Sequence, residues 1–292
     1  MSLIRTLRII ILIALLQLGS LVFAKSDSIV IGFNPGGNPE VEKKLAVELA
    51  SDLQNELGIS VNVFMGKDYQ SLVEAMKSGK IDFGFFSVYS FVEAEKSAGA
   101  KVLLKKIWKS PQYYSVILVP QKSKISRLKE LKGKKIAFVD EISASGFLYP
   151  MVALLKAGIP EADLRTNAVY SGNHAASISM FEQGKVDAVA VFADDSKGRS
   201  GAWEKFHSGK DMKVKVIWTS EPIPNDPFCV RENFYTQNPM LTHSVMLGLI
   251  DIFEKNKDKY KLLLGSEALM PATSRQYDPV REMIQFLKEQ KK

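Results

Sequence analysis

A single cysteine, Cys229, occurs in the 292 residues. It can close no disulfide within the chain and cannot build a thiolate metal site. The core must therefore be held by packing alone, and the length suffices for two modest α/β domains. The sequence has no Gly-x-Ser-x-Gly elbow, no Walker A loop and no clustered ligands of a catalytic metal. These absences argue against a hydrolase built on a nucleophile elbow, a P-loop nucleotidase and a metalloenzyme, so no catalytic residue, cofactor or metal is expected. Beyond the N-terminus no segment is apolar for long enough to span a bilayer. Lys and Arg number 39 against 32 Asp and Glu, a formal charge of +7. The lysines are dispersed, as in Lys43-Lys44, Lys105-Lys106 and Lys134-Lys135, and no basic block alternates with aromatics. That pattern describes a solvated surface, and no nucleic-acid partner is expected.

The first 24 residues differ from the rest. Arg5 and Arg8 precede an apolar stretch over 9–16, and the segment 21–24 ends on Ala24 with Val22 at the −3 position. This is the pattern of a secretory signal peptide cleaved after Ala24, which places the mature protein outside the cytoplasm. An uncleaved anchor is the alternative, for which the apolar stretch is short. Cleavage removes two of the positive charges. No cysteine stands at the cleavage point to carry a lipid.

Hydrophobic periodicity then predicts strands over 29–33, 61–64, 81–86, 102–108 and 113–119, alternating with helices over 40–57, 69–77 and 89–98. A second series begins with a short helix over 126–131. Strands over 135–139, 167–170, 187–192 and 214–218 alternate with helices over 147–157 and 174–183, and a further helix is expected from Asp194 onward. Residues 228–231 return to extended chain. From 233 to 292 the pattern is mostly helical, interrupted at Pro271 and Pro279. Strand–helix alternation predicts mixed, mostly parallel sheets with helices on both faces. The two series divide as 25–118 with 227–292, and 119–226. The regions 113–120 and 220–231 are the candidate crossings.

The stretch Asp140-Glu141-Ile142-Ser143-Ala144-Ser145-Gly146 joins a strand to a helix. Unpaired backbone N–H groups and the positive end of the helix dipole meet there, a place suited to anions and tetrahedral oxyanions. Ser143 and Ser145 can donate hydroxyls, and Gly146 permits close backbone approach. Either serine could equally be a plain N-cap. Tyr170-Ser171-Gly172-Asn173-His174 is a second strand-to-helix turn, in which His174 can donate a ring N–H or serve structure alone. Gly79-Lys80-Ile81-Asp82 and Gly184-Lys185-Val186-Asp187 repeat one pattern, and their carboxylates read as turn residues. Phe85, Phe86, Tyr89 and Phe91 read as core. Asp194 ends a strand, where open α/β sheets bind ligands. Asp226 follows a segment stiffened by Pro222, Pro224 and Pro227.

Taken in order, Tyr113-Tyr114-Ser115-Val116, Asp140 with Ser143-Ala144-Ser145-Gly146, Tyr170-Ser171-Gly172 with His174, and Ile223-Pro224-Asn225-Asp226-Pro227 resemble the periplasmic phosphate/phosphite/phosphonate-binding proteins of ABC transporters. The resemblance covers nearly all of the chain after Ala24. It implies a two-lobed, hinged periplasmic-binding-protein fold of type II. It also implies a protein that takes a small phosphorus oxyanion and delivers it to a permease in the inner membrane. It places Tyr69, Tyr113, Ser143, Ala144, Ser145 and His174 around the oxyanion. Asp194 and Asp226 fall where an amino group is met in aminophosphonate binders. Ala144 stands where the family has a threonine, and one hydroxyl is lost. Two alternatives from other classes are a periplasmic sensor that docks to a membrane receptor, and a hydrolase with Ser143 and His174 as nucleophile and base.

Overall fold

The computed structural model describes residues 28–290 except 35, 37, 210 and 211. The expected signal peptide over 1–24 lies outside the described residues. Among the described residues, short runs rich in Val, Ile and Phe form twelve strands. They are β1 (Ser28–Phe33), β2 (Ser60–Met65), β3 (Phe83–Phe85), β4 (Lys101–Ile107), β5 (Gln112–Pro120), β6 (Ile136–Phe138), β7 (Ala168–Tyr170), β8 (Ala188–Ala193), β9 (Val214–Thr219), β10 (Ile223–Pro224), β11 (Pro227–Val230) and β12 (Ala268–Pro271). They make two sheets, ordered β12-β4-β11-β3-β1-β2 and β10-β5-β8-β6-β7, with β9 also paired to β5.

In the first sheet β1 runs parallel to β2 and β3, and in the second β6 runs parallel to β7 and β8. Helical crossovers permit this. The returning strands β4, β5, β9, β10, β11 and β12 make antiparallel pairs. Parallel pairing is thus confined to the strand–helix–strand part of each sheet. β5 lies wholly in the second sheet, so the first crossing precedes Gln112, earlier than the expected cut after 118. Its partners β8 and β9 come later in the chain and could not be read from the run itself. The return crossing lies between β10 and β11. The crossings are tied together: Asn225 Nδ2 donates to the Ser110 carbonyl at 2.7 Å, and the Tyr277 hydroxyl donates to the Asn225 carbonyl at 3.0 Å.

Two other stretches differ from expectation. No helix starts at Asp194. A loop runs from there, its closure made by the Asp194 N–H on the Ser200 carbonyl at 2.8 Å and a bridge between Ala193 and Gly201, and the helix is the short Ala202–Phe206. In the C-terminal part β12 interrupts the helices, because its residues complete the edge beside β4. Pro279 does not end a helix but stands in the first turn of Asp278–Gln290, where its missing N–H costs nothing.

Phe85, Phe86, Tyr89 and Phe91 are buried in the core, as expected. Cys229 is fully buried in the middle of β11, and burial pushes its thiol well above the ordinary range. The two turn carboxylates do the same job in each sheet. Asp82 Oδ2 accepts from the Val30 N–H at 3.0 Å, and Asp187 Oδ2 from the Lys135 N–H at 2.9 Å. Asp82 also holds Arg231 at 2.8 Å in a mostly buried pair. Asp82→Ala is therefore expected to cost about 3–4 kcal/mol, since it orphans a guanidinium as well as an amide. Asp187→Ala is expected to cost about 1 kcal/mol. Urea unfolding of both variants measures the difference.

Candidate functional site

Helix caps set the positions of the first side chains. Asp68 caps the helix Tyr69–Lys77, its Oδ1 accepting from the Ser71 N–H at 2.7 Å while the Ser71 hydroxyl accepts from the Asp68 N–H. Tyr69, the first helical residue, is thereby turned inward and buried. Burial, then the Asp226 and Asp140 carboxylates, raise its phenol pKa. Tyr113 stands at the start of β5 opposite Ile223 of β10, while its neighbour Tyr114 lies opposite Ala193 of β8. Asp226 and Asp194 therefore follow closely on either side of Tyr113. The Tyr113 phenol is raised well above its ordinary range by burial first, then by Asp226 and Tyr149. The Ser145 hydroxyl acts in the opposite sense. Tyr69, Tyr113, Ser145 and Asp226 thus lie near one another. Asp140 and Tyr149 lie there too.

In the loop after β6, Ser143 Oγ accepts from the Gly146 N–H at 3.1 Å. Ser143 is thus an N-cap, and the helix it opens begins with a π turn over Ala144–Leu148 before continuing as Tyr149–Lys156. The amides of Ala144 and Ser145 have no acceptor within the chain among the described residues. The Ser145 carbonyl accepts from the Ser115 hydroxyl at 2.6 Å, which pins the loop to β5. Gly146 serves packing: a Cβ there would collide with the Val139 side chain. Ala144 is buried and its methyl joins the core. The lobes meet here, since the Ser87 hydroxyl donates to the Ile142 carbonyl at 3.3 Å.

Asn173 caps the helix His174–Glu182, its Oδ1 accepting from the Ala176 N–H at 2.8 Å. His174 thereby sits at the first turn, edge-on to Phe192 with ring centroids 4.9 Å apart. Burial, then the Lys205 cation, hold its pKa down to about 3, so the ring is neutral at physiological pH. No hydrogen bond joins it to Ser143 or Ser145 among the described residues, and no nucleophile–base pair is formed. Asp194 Oδ1 meets Lys205 Nζ at 3.1 Å, and its Oδ2 accepts from the Ser200 hydroxyl at 3.2 Å. Asp226 Oδ2 meets Lys106 Nζ at 3.2 Å.

Among the described residues, five buried side-chain polar atoms have no partner: Asn34 Oδ1, Trp108 Nε1, Tyr149 Oη, His174 Nδ1 and His207 Nδ1. Asn34 follows β1, Trp108 follows β4, and His174 follows the β7 turn. Tyr149 adjoins Tyr113. Four of the five thus belong to the strand ends and loop around the junction of the two sheets. Each such orphan costs about 1–3 kcal/mol unless something meets it. Sequence reading missed Asn34, Trp108, Tyr149, Lys106 and Lys205. Only Tyr149 carried a signal, as a hydroxyl inside the serine-loop segment. A groove of about 580 Å³ on the outer edge, between the helix Pro39–Leu57 and β2, lies away from this junction. Among the described residues no group of acidic, His and Cys side chains is placed to hold a metal ion.

The family described as ABC transporter, phosphonate, periplasmic substrate-binding protein matches residues 31–251. The chain belongs to this family. It is 29 % identical over 218 residues to the phosphate-import protein PhnD of Mycolicibacterium smegmatis, spanning 70 % of this chain and 67 % of that protein. Against the phosphonates-binding periplasmic protein of Escherichia coli the identity is 26 % over 298 residues, spanning 92 % and 84 %. The fold is similar to that of PhnD1 from Prochlorococcus marinus, solved in complex with methylphosphonate. The TM-score is 0.75 at 19 % identity, covering 90 % of this chain and 99 % of that one. The two-lobed substrate-binding architecture of the family accounts for the two sheets, the paired crossings and the junction between them. No helix of the described residues is long and apolar enough to cross a membrane.

Proposed function

We propose that this member of the phosphonate-binding family captures a small phosphorus oxyanion, a phosphonate, phosphite or phosphate, between its lobes and delivers it to an ABC permease in the inner membrane. It acts in the periplasm after loss of residues 1–24, as a binding protein and not as an enzyme. The first sheet with its helices forms one lobe and the second, entered at Gln112 and left after Pro224, forms the other. Tyr69, Tyr113, Ser143, Ser145, His174 and the Ala144 amide surround the oxyanion.

The observation that carries this reading is the set of partnerless donors at the junction. The free amides of Ala144 and Ser145, the Tyr149 hydroxyl and His174 Nδ1 are buried or cap a helix, and none of them has a hydrogen-bond partner among the described residues. Neutral donors at fixed positions stabilise an oxyanion through oriented dipoles, without a matching countercharge. Lobe closure then buries the anion by a hinge motion at the tied crossings.

Titration calorimetry of the mature chain with phosphite, phosphate and methylphosphonate tests the reading. At least one is expected to bind with a micromolar or tighter Kd, and phosphorus NMR is expected to recover it unchanged. Absence of binding by all three overturns the ligand class, and turnover of any of them overturns the binding-only role.

A further inference from the structure

Both carboxylates beside Tyr113 are already occupied by lysines of the chain. The side chain of Asp194 is 7 % exposed, with one oxygen on Lys205 and the other on the Ser200 hydroxyl. Lys205 is itself held in place. Its Nζ lies 4.3 Å from the centroid of the Trp108 ring and 4.8 Å from that of Phe192, where the ring faces attract a cation. Trp108 follows β4 of the first sheet, so this second-lobe lysine reaches the junction between the lobes. Lys261 approaches the same ring at 4.6 Å. On the other side of Tyr113, Lys106 is paired to Asp226 twice, by side chain at 3.2 Å and by its N–H on the Asp226 carbonyl at 2.9 Å.

We propose that Lys205 determines specificity at this site, filling Asp194 while Lys106 pairs with one oxygen of Asp226, so that the cleft takes phosphorus oxyanions without an amino group. This rests on the oxyanion reading above. The family resemblance places Asp194 and Asp226 where aminophosphonate binders meet an amino group. In the structure such an ammonium finds no free carboxylate oxygen on Asp194. It would also have to approach the Lys205 cation, a like charge in a partly desolvated setting. An oxyanion with a hydrogen or alkyl substituent meets no such conflict, and the nearby lysine charge favours its approach. Burial lowers the pKa of Lys205, and the Asp194 carboxylate acts against that shift, holding the ammonium form in place.

The test compares 2-aminoethylphosphonate with amine-free ligands, namely propylphosphonate of equal size, methylphosphonate and phosphite, by calorimetry. Wild type is expected to bind the tightest amine-free ligand at least about tenfold better than 2-aminoethylphosphonate, the scale of one charge-assisted bond. Lys205→Met keeps the alkyl stem over Trp108 and releases Asp194. It is expected to narrow that ratio at least about tenfold. The double variant Lys205→Met with Asp194→Asn is expected to lose the gain. Preference of wild type for 2-aminoethylphosphonate overturns the proposal without need of any variant. An unchanged ratio in Lys205→Met, or a gain that survives in the double variant, overturns it as well. If wild type binds none of the ligands, it is the oxyanion reading that fails, and this inference with it.

Discussion

Replacing Ser143 and Ser145 together by alanine is expected to weaken oxyanion binding by about 3–6 kcal/mol, two charge-assisted bonds of about 1.5–3 kcal/mol each. That corresponds to about two to four orders of magnitude in Kd. The two serines differ in what else they support. The Ser143 hydroxyl accepts from the Gly146 N–H, so Ser143→Ala also loses a cap, worth about 1 kcal/mol of stability. The Ser145 link to Ser115 uses the Ser145 carbonyl and survives Ser145→Ala. That single variant therefore isolates the hydroxyl that faces Tyr113, with the loop still pinned to β5. Calorimetry on the single and double variants, with thermal unfolding beside it, separates affinity from folding. A double variant that binds like wild type removes the serine loop from the site.

The second large effect is on acid stability. In the folded protein the His174 pKa is about 3, whereas an unfolded histidine titrates near 6.5. Between those values the unfolded chain binds the extra proton and the folded chain does not. Stability from this group is therefore complete above the unfolded value and is lost as pH falls toward the folded one. The expected loss is about 2 kcal/mol between pH 7 and pH 5, with a limiting slope of about 1.4 kcal/mol per pH unit. Urea unfolding at pH 7, 6 and 5 should show it in wild type, and His174→Gln should flatten this limb. The same neutrality bears on function. If His174 donates as a neutral ring, acidification through pH 6 does not tighten oxyanion binding through it. Tightening at pH 5.5 that disappears in His174→Gln would show an imidazolium and contradict the neutral-donor picture.

Much of this was legible in the sequence because local rules governed it. The paired Gly-Lys-apolar-Asp turns are short-range features, and the structure uses them as the sequence implied. Tyr69, Tyr113, Ser145 and Asp226 were singled out through the family resemblance, and the structure places them near one another. What could not be read depends on distant partners. β12 is a strand only because β4 offers an edge. β5 belongs to the second sheet only because β8 and β9 flank it. Lys205 lies eleven residues beyond Asp194, across a loop whose path no periodicity encodes, so the ion pair that fills the carboxylate left no trace in the pattern. Gly146 carries a further constraint that the loop sequence alone does not show. Its need for a bare Cα comes from Val139, packed against it by the bond from the Val139 N–H to the Gly146 carbonyl at 3.0 Å.

Cys229 also has a practical consequence. Its thiol sits in the middle of β11 with no solvent contact, and burial disfavours the thiolate that maleimides and disulfides require. The native chain is thus silent toward thiol-directed dyes while folded. A cysteine introduced at an exposed rim position would be the sole labelling point, without removal of the native one. The protein therefore serves as it stands as a frame for a reagentless optical sensor of its own ligand.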